Sequence, residues 1–186
     1  MSLTTIVAVL VVLALLAWSL WTYNGFIRLR NQVATAWADI DVQLMRRHDL
    51  VPQLVSAVQG YIGHERATLE LVTQLRAKAI QATAPAALGD VEHALSQAIG
   101  QVLVLQELYP DLKASTNFIQ LQRDLVDVEE QLQYARRFYN GAVRDYNDAI
   151  QRVPANAVAS MTGFDAREPF QAGDSARNAV QVELTR

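Results

Sequence analysis

A chain of 186 residues with no cysteine and a net charge of −3 has room for one domain and an appendage. It excludes a disulfide framework, a thiolate metal site and a lipid-modified cysteine, and its near-neutral, slightly acidic balance argues against nucleic acid as the main partner. Eight glycines and five prolines among abundant Ala, Leu, Gln and Val predict an all-α fold.

No charged side chain precedes Arg28, and Leu3 to Trp21 is apolar but for Thr and Ser. As a helix this stretch spans about 28 Å, close to a bilayer core. Trp18, Trp21 and Tyr23 fall where an interfacial aromatic belt belongs. A cleaved signal peptide would want a basic start and an A-x-A site, and the sequence has neither. Residues 1–23 are therefore expected to be an uncleaved transmembrane anchor, with the lipid bilayer as first partner. Arg28 and Arg30 follow the span, so the positive-inside rule puts the large domain in the cytoplasm.

Residues 24–163 read as an elongated antiparallel helical bundle of two long helices with two shorter ones between them. The first long helix carries Phe26, Leu29, Val33, Trp37, Ile40, Leu44, Val51, Leu54, Val58 and Tyr61 at spacings of three and four, with Arg47 in the one gap of seven. Its stripe keeps register across Pro52, which predicts a kink there rather than a break. The second helix is expected from about His64 to Thr83. The third starts with Asp90 as N-cap and reaches about Leu108. Asn117 and Gln120 resemble a capping box opening the last helix, whose stripe runs from Phe118 through Tyr139 and Tyr146 to Val153.

Arg47 alone interrupts the first stripe, at a position facing the partner helix. It is predicted to pair across the bundle with Glu129, a better match in height than Asp124, while Arg46 and Glu130 point outward. Arg47 belongs to the polar run Arg46, Arg47, His48, Asp49. Two stretches, "YNGFIRLRN" from Tyr23 and "YNGAVRDYN" from Tyr139, agree at five of nine positions and diverge immediately afterwards, so they are not a repeat. In each, Asn, Arg and Asn share one helix face (Asn24, Arg28, Asn31; Asn140, Arg144, Asn147), read as a structural seam beside the stripe. The Asn-Gly pair in mid-helix predicts a close helix approach or an amide hydrogen bond.

Residues 164–186 form an irregular tail after a short helix ended by Gly163. "VQVEL" within it carries a short strand signal, which pairs with another chain or stays flexible. Self-association of the chain is the corresponding expectation.

The stretches "YNGFIRLRNQVATAWADIDVQLMRRHDLVPQLV", "GYIGHERATLELVTQLRAKA", "YPDLKASTNFIQLQ" and "YARRFYNGAVRDYN" closely resemble the LemA family, in the family's order and over nearly the whole chain beyond the anchor. The resemblance implies a single N-terminal helix in the bacterial inner membrane carrying an all-helical bundle, and a role in organising membranes. It supplies no catalytic residue.

All three histidines have an adjacent carboxylate (His48–Asp49, His64–Glu65, Glu92–His93). Adjacent residues on a helix point about 100° apart and cannot chelate one ion together, and no Glu has a His three residues later. G-x-S-x-G, P-loop and Rossmann patterns are missing. The function expected is therefore a membrane-anchored scaffold or adaptor with unidentified protein partners and no cofactor, catalytic residue or metal. The alternative is a membrane-anchored metal-dependent enzyme whose ligands come from His48, His64 or His93 on different helices.

Overall fold

The computed structural model describes residues 2–61, 65–82 and 85–170, with the Ala86 side chain excepted. His64 and the strand signal at 180–184 lie outside the described residues. Among those described there are six α-helices, one 3-10 turn and no strand: α1 Leu3–Gln59, α2 Arg66–Gln81, α3 Pro85–Val104, the turn Leu105–Glu107, α4 Pro110–Lys113, α5 Thr116–Gln151 and α6 Ala155–Thr162. The fold is all-α.

Helix α1 is continuous from the apolar stretch through Pro52. No loop or break marks the passage from Tyr23 to Asn24. Proline costs one backbone hydrogen bond, and the uninterrupted burial of Val51, Leu54 and Val58 on either side of Pro52 offsets it. Tyr61, expected to close the stripe, lies past the helix end and is exposed.

Two helix starts and one helix end differ from expectation. Helix α3 opens at Pro85, since proline at a first helical position has a suitable φ and lacks only an N–H that would be orphaned anyway. Asp90 is thus inside α3 and does not cap it. At α5 the capping side chain is Ser115, whose Oγ accepts from the Phe118 backbone N–H at 3.5 Å. Asn117 sits in the first turn, and no capping box forms. At the other end α5 stops at Gln151, so Ile150 is buried in place of Ala149 while Val153 is 83% exposed. Helix α6 ends as predicted at Gly163, with φ 72°. The Phe164 N–H then bonds the Ala159 carbonyl, the six-to-one closure of a Schellman motif.

The chain divides into two compact units. The first takes the described parts of Met1–Ala38 and Arg137–Glu168. Here the start of α1 runs antiparallel to the end of α5: Trp37 stacks edge-on against Tyr139 at 5.2 Å, while Phe26 and Leu29 share a cleft with Ala149 and Arg152. Phe164 closes the core edge-on against Tyr23 and Phe26 at 5.6 and 5.3 Å.

The second unit takes the described parts of Asp39–Arg136 and Pro169–Arg186. Helices α2 and α3 pack on each other. Their apolar faces join α1 and α5 in a core that includes Leu54, Val72, Leu95, Val102, Leu112 and Phe118, all fully buried.

Candidate functional site

Helix α3 buries one face through Leu88, Glu92, Leu95, Ile99 and Val102, at spacings of four, three, four and three. Glu92 occupies a position on this face that would otherwise be apolar, as Arg47 does on α1. The two residues meet. Arg47 Nη1 donates to Glu92 Oε2 at 3.2 Å, and the side chains are 5% and 0% exposed. His48 Nε2 lies 2.6 Å from Glu92 Oε1. An ionised carboxylate only accepts, so Nε2 carries the proton in this pair.

Further groups surround this pair in the second unit. Arg47 Nη2 donates to Ser96 Oγ and lies 2.9 Å from Glu129 Oε2. That contact with Glu129 is an ion pair by distance and lacks hydrogen-bond geometry. Arg76 Nε donates to the His48 backbone carbonyl at 2.6 Å and ties α2 to α1. Arg136 spreads its guanidinium over the Phe170 ring at 4.8 Å. Burial pushes the Arg136 pKa below its ordinary value, Glu129 draws it back up, Arg47 depresses it further and Glu92 raises it.

Glu92 is closed to solvent, and both its oxygens are engaged. It neutralises Arg47, fixes the His48 ring and sets the register of α1 against α3, with Glu129 bringing in α5. Isolated charges are costly to bury, and mutual pairing with satisfied hydrogen bonds is what makes them tolerable.

Of the predicted site residues, the structure brings Arg47 and Glu129 together and leaves Asp49 exposed. Asn24, Arg28 and Asn31 are solvent-exposed, as is Arg144. Asn140 and Asn147 are half-buried. Asn147 binds the chain after α6: its Nδ2 donates to the Arg167 carbonyl and its Oδ1 accepts from the Arg167 N–H, each at 2.9 Å. Tyr146 and Tyr139 donate their hydroxyls to the carbonyls of Asp165 and Glu168. No close helix approach explains Gly141, where a Cβ would meet nothing within 4 Å.

His93 Nε2 lies 3.2 Å from Gln97 Nε2, away from the His48 pair. No group of three or more His, Cys, Asp or Glu side chains gathers as a metal site among the described residues.

Sequence reasoning missed Glu92 as the central partner, as well as Ser96 and Arg76. The signal for Glu92 was present: it is the one charged residue on the four-three spacing of α3.

The LemA family model matches residues 36–184. Among similar proteins, magnetosome protein MamQ 2 of Paramagnetospirillum magneticum is 24% identical over 199 residues, covering 91% of this chain and 73% of that protein. Magnetosome protein MamQ of Magnetospirillum gryphiswaldense is 22% identical with the same coverage. Protein LemA of Metamycoplasma hominis is 27% identical over 167 residues, covering 88% and 75%. A family model spanning most of the chain, together with a helical fold whose matched stretches build its core, carries one conclusion: the chain belongs to the LemA family.

Proposed function

We propose that this protein is a single-pass membrane protein whose helical domain acts as a non-catalytic scaffold or adaptor, holding protein partners at the bilayer surface. The observation that carries this reading is the state of the apolar part of α1. None of its most apolar window is buried within the protein, and Leu10, Leu16, Leu20 and Trp21 are 60%, 56%, 65% and 76% exposed. Apolar surface left in water costs about 25 cal/mol per Å2, and a bilayer removes that cost. The helix runs on without a loop into a face whose Phe26 is a core residue, which favours an anchor over a cleaved leader. The names of the relatives denote a magnetosome or the family itself, and no reaction.

Arg28 and Arg30 favour a cytoplasmic domain at the inner membrane. Alkaline extraction of membranes should leave the protein in the pellet, with an intact mass that includes residues 1–23. A phosphatase fused after Arg186 should be inactive and a cytoplasmic reporter active. Release by alkali, or loss of the N-terminal segment, would refute the anchor, and an active phosphatase would refute the orientation.

A further inference from the structure

In the first unit, the start of α1 and the turn between α5 and α6 enclose a cleft of about 670 Å3. Its lining falls into two zones. Trp18 and Trp21 lie at the end leading to the unburied apolar stretch, and Arg28 and Arg152 supply the only charges. Among the described residues no carboxylate lines the cleft, and neither arginine forms an ion pair with any of them. Two exposed guanidinium groups flanking one cleft give it a positive charge that suits an anion.

We infer that this cleft binds the headgroup of an anionic phospholipid from the surrounding bilayer, with Arg28 and Arg152 on its phosphate. The geometry on α1 supports a lipid as occupant. Arg28 lies seven residues beyond Trp21, about 10 Å along the axis. Side chains on a helix lean toward its N-terminus, and here that end is the apolar one, so Arg28 leans back toward the level of the tryptophans. Tryptophan favours the headgroup level. The acyl chains of a lipid held there would lie along the exposed leucines and valines before Trp18. Val153, 83% exposed next to Arg152, adds apolar surface on the opposite wall. Arginine matches phosphate with a planar fork of donors.

The inference rests on the membrane reading above, and the test separates the two. Full-length protein is reconstituted into nanodiscs of mixed phosphatidylglycerol and phosphatidylcholine, and the lipids retained after mild detergent extraction are counted by native mass spectrometry. The expected result is selective retention of phosphatidylglycerol. The double variant Arg28→Gln with Arg152→Gln should reduce that selectivity about tenfold. The control Lys78→Gln with Arg123→Gln, with the same loss of charge at exposed sites elsewhere, should leave it unchanged. Circular dichroism on both variants confirms folding. Equal retention of the two lipids, or equal loss in the control, overturns the lipid site while the protein stays in the disc. Failure to enter the disc overturns the membrane reading and the lipid site together.

Discussion

Glu92 on α3 and Arg47 on α1 lie 3.2 Å apart with almost no solvent contact on either side chain. Glu92→Ala would leave Arg47 with the Ser96 hydroxyl and a single, partly solvated counter-charge in Glu129, and strip His48 of its acceptor. A loss of about 3–5 kcal/mol in unfolding free energy is expected. Glu129→Ala should cost about 1 kcal/mol or less, because its carboxylate is 37% exposed and Arg47 retains Glu92. Denaturant titrations of both variants check the order, and equal losses would contradict the central place of Glu92.

Replacing Arg47 and Glu129 together by Leu makes the α1 stripe continuous, and sequence reasoning expects that change to be neutral or stabilising. The structure reverses the expectation. Glu92 would remain fully buried with only His48, at a cost of roughly 2–3 kcal/mol. Adding Glu92→Leu should recover much of it. Arg46→Ala, whose partner Asp127 is 3.9 Å away and exposed, should change the melting temperature little. A double variant as stable as the parent would show that Glu92 does not need Arg47.

Burial raises the Tyr139 pKa above its ordinary value of 10.0, with Arg167 opposing the rise and Glu168 adding to it. A pKa higher in the folded state means that this contribution is full below about pH 10 and is lost as pH climbs through the folded value. The stability advantage of the parent over Tyr139→Phe should therefore shrink above about pH 10. Melts of both proteins across that range measure it. A pH-independent difference would mean that folding leaves the Tyr139 pKa unshifted.

Asn147→Ala removes both bonds to the Arg167 backbone. The segment after Gly163 should then open more often, and trypsin should cut after Arg167 several times faster, in proportion to the lost local stability. Mass spectrometry of timed digests identifies the cut. An unchanged rate would mean that Tyr139, Tyr146 and Phe164 hold the segment without help.

Gly141 lies in the middle of α5 with open space where a Cβ would go. Gly141→Ala should add about 0.5–1 kcal/mol of stability and raise the melting temperature by roughly 1–4 °C. A fall instead would mean that the fold does not accommodate the added methyl.

Periodicity carried most of the fold. The stripes of α1 and α5 are long, and their core positions from Val33 to Val58 and from Phe118 to Tyr146 are largely those read from spacing. Helix ends were less legible, because Pro85 and Ser115 compete with equally good caps at Asp90 and Asn117 and only packing chooses between them. Arg47 was visible as a lone charge in an apolar row. Its main partner was not, because helix α3 is short and its rotation about α1 is set by tertiary contacts that no single stripe encodes. The Asn-Arg-Asn faces misled for a related reason. Beside a stripe, a polar residue borders either the neighbouring helix or water, and Asn24 and Asn147 fall on opposite sides of that line.

The absence of a joint between Trp21 and Phe26 makes α1 a shaft keyed into its own bearing. Leu16 and Phe26 belong to one rigid spiral, so rolling the apolar segment rolls Phe26 against the Phe164 ring by the same angle. One residue inserted ahead of Trp21 turns the segment before it by about 100° and shifts it by about 1.5 Å, presenting a different stripe to its surroundings while the bearing stays put. In a bilayer, a hydrocarbon layer thinner than the apolar stretch tilts a spanning helix. A helix without a joint passes that tilt to the aromatic contact at its base as torque, which a flexible linker would dissipate.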